Sequence, residues 1–474
     1  DGASILVSSS YNGLPPANAK EFCKWLDDPP AGQRPAGAPY TVFGCGNTEW
    51  AATYQAVPIL IDAKLSELGG RRIHARGEGD VRSDFDAQYR AWHDSLWSDL
   101  ASTLDLPVSA ADPAAIGPRL SISLVNRQKT NPVIISYEAA PARVAVNREL
   151  ATALDGQPAE RSTRHVEIAL PEGTTYQTGD HLGVLPRNHP ELIRRTMFRF
   201  GLDAGQYLTI VARSGSHTHL PIDEPTPLLG VLGTCVELQD VAKRSDIEMM
   251  VSYTDDPEQR AALKELIGDD PEAQSRYRER VFLPNRSLLD LLEEFPGCAL
   301  PFEVYLDLLP PLRPRYYSIS SSPLVDQKLC SITTGVLRAP ARSGHGEYAG
   351  ICSNHLATSP DNSTVFVFVR DPGIGFRPPE NAQVPMIMVG AGTGLAPYRG
   401  FLQERATLKH QGSSVAESLL FFGCRNPNAD YLYADELREF ESLGVARVVT
   451  AFSRVPGQPR QYVQDAIQEH GEEV

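Results

Sequence analysis

No stretch of this chain approaches the ~20 consecutive apolar residues that a membrane-spanning helix requires, and no N-terminal signal pattern is present. Cysteine is sparse. Its seven residues, at 23, 45, 235, 298, 330, 352 and 424, form neither zinc-ligand pairs nor the dense spacing of a disulfide scaffold. A reducing, cytoplasmic setting without membrane contact is therefore expected. Positive charge is in deficit too: 44 Lys and Arg face 59 Asp and Glu, a formal net charge of -15. That balance argues against nonspecific nucleic-acid binding, which needs clustered cations, and suits either docking to a basic partner or simply solubility.

What is present is chain enough for several cores. At 474 residues, a prior of ~150 residues per domain gives roughly three. Residues 4–7 (Ser-Ile-Leu-Val) and 40–43 (Tyr-Thr-Val-Phe) read as short buried strands running into polar, Gly-bearing loops. In open parallel sheets ligands bind beyond the carboxyl ends of strands, which directs attention to loops 8–13 and 44–50. A covering helix is predicted over 57–68, closed by Gly69-Gly70. From 106 to 135 no period is sustained, and a linker is expected.

Residues 164–170, 315–320, 329–337 and 364–370 alternate polar and apolar side chains as half-buried antiparallel strands do. Between 188 and 312 helical patterns dominate. Asn188 reads as an N-cap with Pro190 in the first turn and Glu191 completing a capping box; a second helix is expected at 286–295. A helical insertion inside a β-barrel is the economical interpretation. The last ~90 residues return to an α/β pattern, with strands at 384–389, 418–422 and 446–452. Each is followed at once by a candidate contact: Gly390–Gly394, Gly423-Cys424-Arg425, and Ser453-Arg454.

Three short motifs in series carry chemistry: Arg315-Tyr316-Tyr317-Ser318, Gly350-Ile351-Cys352-Ser353 and Gly390-Ala391-Gly392-Thr393-Gly394. A flavin dinucleotide needs a cation for its pyrophosphate, an aromatic plane against its ring, and a hydrogen-bonding group near the atom that receives hydride. Arg315, Tyr317 and Ser318 on one extended strand supply that set, since positions 315 and 317 share a face. Gly350 to Ser353 offers backbone N–H groups at a helix start, where phosphate is favoured. The Gly390–Gly394 turn, with the Thr393 hydroxyl, suits a second nucleotide. Ser453, Arg454, Arg460, Tyr462 and Gln464 follow, and two guanidiniums near a ribose favour the 2′-phosphate of NADP over the hydroxyl of NAD. In the first domain Tyr11 and Trp50, among Ser10, Asn12, Gly13, Cys45, Gly46 and Asn47, read either as a pair that sandwiches a second flavin or as aromatics on the rim of the sheet edge. No Cys-His-acid arrangement is evident, so Cys45 and Cys352 read as positioning residues rather than nucleophiles.

In this order the sites resemble those of the diflavin reductases, the family of NADPH-cytochrome reductase. Ser10-Tyr11-Asn12-Gly13-Leu14-Pro15-Pro16-Ala17-Asn18-Ala19 and Asn147-Arg148-Glu149-Leu150 are similar, more narrowly, to the reductase half of self-sufficient haem-thiolate monooxygenases, the fatty-acid hydroxylases. The resemblance implies an α/β multidomain chain. Its parts are a flavodoxin-like doubly wound FMN domain (1–105), a linker (106–135), an antiparallel β-barrel FAD domain (136–380) with its helical insertion at about 188–312, and a ferredoxin-reductase-like NADP domain (381–474).

It further implies that Tyr11 and Trp50 flank FMN with Thr53, Tyr54 and Gln55 nearby. Arg315–Ser318, Cys330-Ser331-Ile332 and Gly350–Ser353 would bind FAD, with Ser318 assisting hydride transfer. Arg148, Thr393, Ser453, Arg454, Arg460, Tyr462 and Gln464 would hold NADPH. The implied partner is a haem-bearing monooxygenase domain on the same polypeptide, haem iron belonging to that domain alone, with homodimer assembly left open. Sulfite reductase flavoprotein and nitric-oxide synthase reductases share the flavins with other acceptors, and a non-catalytic docking fragment is the reading from another class. Against the family pattern, the flavodoxin-like and NADP domains read as truncated at their outer ends, and Asn47 stands where relatives usually carry Asp.

Overall fold

The computed structural model of the chain describes residues 2–30, 34–82, 85–104, 120–125, 137–153, 159–212, 218–223, 225–268, 270–344, 346–373 and 375–473. It divides into two compact units: Asp1–Gly117 with Lys243–Glu248 and Ala262–Tyr277, and Pro118–Ala242 with Met249–Ala261 and Arg278–Val474. Among the described residues no helix is long and apolar enough to cross a membrane.

In the first unit β1 (Ser4–Ser9), β2 (Pro39–Gly46), β3 (Arg71–Arg72) and β4 (Gly77–Asp80) form a parallel sheet with β2 bonded to all the others. The run Tyr40 to Gly44 is buried without alternation, as a central parallel strand covered on both faces must be. Leu26, Val57, Ile61 and Leu65, from the helices Lys20–Asp27 and Ala56–Glu67, cover Tyr40 and Val42. On the other side Trp92 and Leu96 of the helix Phe85–Leu104 pack on Phe43. The helix predicted over 57–68 is present, and Gly69 at φ 89° follows it. Two pieces of the expected helical insertion belong to this unit, where Glu248 pairs with Arg90 at 3.1 Å.

The second unit begins with β5 (Leu120–Val125), β6 (Ala140–Glu149), β7 (Thr163–Ala169), β8 (His181–Val184), β9 (Tyr207–Ala212) and β10 (Thr226–Pro227). It continues with β11 (Arg315–Ser318), β12 (Leu329–Gly335), β13 (Arg338–Pro340), β14 (Glu347–Ala349) and β15 (Thr364–Arg370). Its last strands are β16 (Ile387–Ala391), β17 (Ser418–Cys424) and β18 (Ala446–Phe452).

Six of these make an antiparallel sheet in the order β11-β8-β15-β6-β7-β12, around Val144, Val166, Ile168, Leu182, Val184, Ile332 and Val367. The expected barrel is not closed by its ladder. Its outer strands β11 and β12 meet at a bridge, Ile319 with Ile332, extended by Ser320 N donating to Ser331 O at 2.7 Å. Within the expected linker, β5 pairs with β9 over six positions; its alternation, Leu-Ser-Ile-Ser-Leu-Val, is too brief to register as a sustained period. The remainder of 106–135 lies outside the described residues.

Asn188 does not cap a helix. The N-cap of the helix Pro190–Phe200 is His189, while Asn188 is buried and its Nδ2 donates to Leu232 O at 2.7 Å and Val236 O at 2.6 Å. The second expected helix is Leu288–Glu294, capped by a reciprocal Ser287–Asp290 box. In the last part of the chain β17 lies between β16 and β18, all parallel, and Leu420 and Phe422 pack against Phe401 and Leu402 of the helix Ala396–His410.

Candidate functional site: two adjoining cavities and an aromatic pair

In the first unit the loops after β1 and β2 approach each other, as an open parallel sheet requires. Asn12 (φ 49°) and Gly13 (φ 78°) form a tight left-handed turn closed by Tyr11 N to Leu14 O at 2.9 Å; a Cβ on Gly13 would lie 3.1 Å from Thr53 Cγ2. Tyr11 and Trp50 are 63% and 65% exposed, so neither ring is consumed by the core. Other predicted contacts have structural duties. Ser10 Oγ accepts from Val57 N at 2.9 Å, Asn47 Oδ1 accepts from Glu49 N at 2.8 Å, and Cys45 packs beside Phe43. Gln55 is buried with Nε2 donating to Gly44 O at 2.9 Å, and the Tyr54 ring lies over Gly46. Thr48 N and Oγ1 donate to the Asp80 carboxylate at 3.1 and 2.8 Å. Burial would raise the Asp80 carboxyl, but these bonds and that from Arg82 N hold it below the usual carboxylate range.

In the second unit Arg315, Tyr316, Tyr317, Gly350, Ile351, Cys352 and Ser353 line one cavity of 570 Å³. Antiparallel pairing of β11 with β8 sets Arg315 against Val184 and Tyr317 against Leu182. Arg315 Nη2 lies 3.3 Å from Glu237 Oε2, and Nη1 donates to Arg313 O at 2.7 Å. Burial pushes the Glu237 carboxyl above its ordinary range despite Arg315. Tyr316 leans on Phe368 and its hydroxyl accepts from Arg370 Nη1 at 2.8 Å. Gly350 caps the helix Ile351–Thr358, where a Cβ would come within 2.9 Å of Ser353 Oγ and 3.0 Å of Leu337 Cβ.

Burial pushes the Cys352 thiol up to about 11 and that of Cys330 up to about 12, so both are neutral thiols. Ser318, opposite His181, is outside the cavity lining. So are Cys330 and Ile332, whose side chains are core, and Ser331, whose Oγ accepts from Arg399 Nη1 at 3.1 Å.

A second cavity of 1000 Å³ lies at the carboxyl ends of β16, β17 and β18 and brings together Gly392, Thr393, Arg425, Ser453, Tyr462 and Gln464. Leu337 lines both this cavity and the first. Gly392 takes φ 55°, and a Cβ on Gly390 would lie 3.0 Å from Gly394 O, so the turn folds on itself as tightly as its glycines allow. Arg454 faces a smaller adjoining space of 210 Å³ with Arg425 and Glu160. Arg460 is exposed and lines none of these cavities; Arg148 lies 6.0 Å from the centre of the Tyr433 ring.

Sequence reasoning missed Glu237 and Glu160, the carboxylates that engage Arg315, Arg425 and Arg454. It also missed Asp430, which accepts from Arg425 N at 3.0 Å and Asn426 N at 2.8 Å. A lone Glu in the apolar run Val231 to Leu238 was a signal for the first; no local pattern marks Glu160.

A sheet edge of glycine-rich turn and arginines, adjoining a cavity with a cation, an aromatic ring and a helix start, defines a flavin-dependent nicotinamide-nucleotide oxidoreductase. Family models agree in chain order: flavodoxin over residues 1–92, FAD binding domain over 136–355, and oxidoreductase NAD-binding domain over 388–473. The chain is 46% identical over 465 residues to bifunctional cytochrome P450/NADPH–P450 reductase 1 of Bacillus subtilis, covering 98% of this chain and 43% of that protein. It is 37% identical over 477 residues to a self-sufficient cytochrome P450 monooxygenase of Phanerodontia chrysosporium, again covering 98% and 43%. The chain thus spans less than half the length of the curated relatives it matches. It belongs to the diflavin reductases, of the type found in self-sufficient P450 fusions, with FAD, FMN and NADPH as its cofactors.

Proposed function

We propose that this chain is the reductase part of an NADPH–haemoprotein reductase, taking electrons from NADPH through FAD and then FMN to a haem-thiolate monooxygenase joined to it in one polypeptide. Fatty-acid hydroxylation is the reaction we assign to that partner. The observation that carries the reading is that the flavin and nucleotide cavities adjoin at Leu337, because hydride passes only between groups in near contact. Bound flavin supplies the conversion of a two-electron donor into single-electron steps.

The chain's own residues hold and orient. Arg315, released from Glu237, takes the FAD pyrophosphate; Tyr317 covers the flavin ring; the Gly350–Ser353 helix start adds N–H donors. Ser318 donates a hydrogen bond beside the hydride-receiving atom. Thr393 and Ser453 position the nucleotide, with Tyr462, Gln464 and Arg148 beside it, and Arg454 with Arg460 selects its 2′-phosphate. Tyr11 and Trp50 hold FMN between them. We assign 1–105 to FMN, 136–380 to FAD and 381–474 to NADPH, and read the six-stranded sheet with its Ile319–Ile332 bridge as the FAD barrel. The seven cysteines, all free thiols, fit a cytoplasmic location.

Flavin content and NADPH-driven cytochrome c reduction test the assignment. A chain that holds FAD and FMN and reduces cytochrome c supports it. One that holds flavin yet oxidises no NADPH is a docking module instead.

A further inference from the structure

Glu160 stands between two arginines. Its carboxylate lies 2.7 Å from Arg425 Nη1 through Oε2, and 3.0 and 3.1 Å from Arg454 Nη1 through Oε1 and Oε2. Arg425 comes from the end of β17 and Arg454 from the end of β18, joined by Arg454 N donating to Arg425 O at 2.8 Å. The two guanidiniums thus sit on a common frame and share one anion. Their attraction holds Glu160 below the ordinary carboxylate range although its side chain is 68% exposed.

We propose that Glu160 is an internal competitor for the nucleotide's 2′-phosphate, a carboxylate that occupies the anion position between Arg425 and Arg454 and must rotate out before the phosphate enters. The proposal rests on the reading of this sheet edge as the NADPH site. Three features carry it. A phosphomonoester and a carboxylate present the same oxygen acceptors to a guanidinium, so one pair of arginines serves both in turn. Glu160, Arg425 and Arg454 line the same 210 Å³ space, and Glu160 and Arg425 also line the larger nucleotide cavity, so the anion position is open to a ligand. The anchor lies two residues away, where Ser162 O accepts from Val336 N at 2.9 Å and Thr163 N donates to Glu149 Oε1 at 2.7 Å. Displacement therefore needs only side-chain rotation at Glu160.

The consequence is a lowered preference for the phosphorylated nucleotide. A ligand with a 2′-phosphate must break the Glu160 pairs, whereas one with a bare 2′-hydroxyl leaves them in place. Glu160 thus narrows the gap between NADPH and NADH without touching either.

The test uses the full chain and two small probes, adenosine 2′,5′-bisphosphate and adenosine 5′-monophosphate, titrated calorimetrically against wild type, Glu160→Gln and Arg454→Ala. Glu160→Gln keeps the shape and removes the charge. It is expected to tighten the bisphosphate about threefold or more, the scale of exposed ion pairs, and to leave the monophosphate unchanged. Unchanged or weaker bisphosphate binding in Glu160→Gln, with Arg454→Ala weakening it, overturns the competitor role alone. Bisphosphate binding that neither substitution alters overturns the nucleotide-site reading beneath it as well.

Discussion

His165 Nδ1 and the Tyr433 hydroxyl lie 2.9 Å apart, joining β7 of the antiparallel sheet to the residue that opens the helix Ala434–Ser442 beside the parallel sheet. The other ring nitrogen, Nε2, is 3.0 Å from Glu167 Oε1, and Tyr433 is 2.6 Å from Thr333 Oγ1. A carboxylate only accepts, so Nε2 carries the proton; in the neutral imidazole Nδ1 then accepts from Tyr433, and Tyr433 accepts from Thr333. With the imidazole neutral, every member of this chain has a partner.

Burial of the imidazole sets a pH dependence. Burial, chiefly, lowers His165 from the ordinary 6.5 to about 4, and burial with Arg187 nearby does the same to His355. Between those pH values the unfolded chain binds protons that the folded chain refuses. Stability is therefore complete above pH 6.5 and falls as pH drops toward 4, by about 2 kcal/mol per histidine at pH 5. Denaturant titrations at pH 7.5 and pH 5 should show the loss, and His165→Gln should remove about 2 kcal/mol of it.

Arg399, on the helix Ala396–His410, ties the helix Ala434–Ser442 to the antiparallel sheet at Ser320 and Ser331. It is 7% exposed, Nε and Nη2 lie 2.7 and 3.0 Å from Glu436, and Nη1 donates to Ser320 O at 2.8 Å. Arg399→Met leaves Glu436 and Ser320 O without these partners and is expected to cost about 3 kcal/mol in thermal or denaturant unfolding.

For the flavin cavity, Tyr317→Ala should weaken FAD retention about tenfold through the lost aromatic contact. Arg315→Ala should weaken FAD on the order of tenfold or more while barely affecting riboflavin, which lacks the pyrophosphate. Flavin fluorescence titrations separate the two. Equal effects of Arg315→Ala on both ligands would contradict its pyrophosphate role.

At the nucleotide cavity, Arg454→Ala should raise KM for NADPH about tenfold and leave KM for NADH nearly unchanged. Steady-state kinetics with both donors checks it.

The parts legible in sequence were those written locally. The alternating Thr-Val-Phe-Val-Phe-Val-Arg is β15 residue for residue, and Arg315, Tyr316 and Tyr317 of the first motif do meet Gly350–Ser353 in one cavity, with Ser318 outside it. What escaped depends on distant packing. Gly-Glu-Gly-Asp at 77–80 contains no apolar residue, yet it is β4, because a Cβ on Gly77 would meet Phe43 and Trp92 at 2.5 Å and one on Gly79 would meet Phe85 at 2.4 Å. Only the aromatic layer explains those glycines. Asn188 has a capping residue's chemistry but spends it on carbonyls 44 and 48 residues away. The carboxylates Glu237 and Glu160 find their arginines across 78 and 265 residues, separations that no local pattern spans.

The central claim is that hydride moves from a nucleotide at the parallel-sheet edge to flavin in the adjoining cavity. Anaerobic rapid mixing of the FAD-loaded chain with one equivalent of NADPH tests it most directly. The account predicts bleaching of the flavin absorbance with matching loss of NADPH, slowed in Ser318→Ala without loss of bound FAD. Flavin that stays oxidised while NADPH is bound would contradict it.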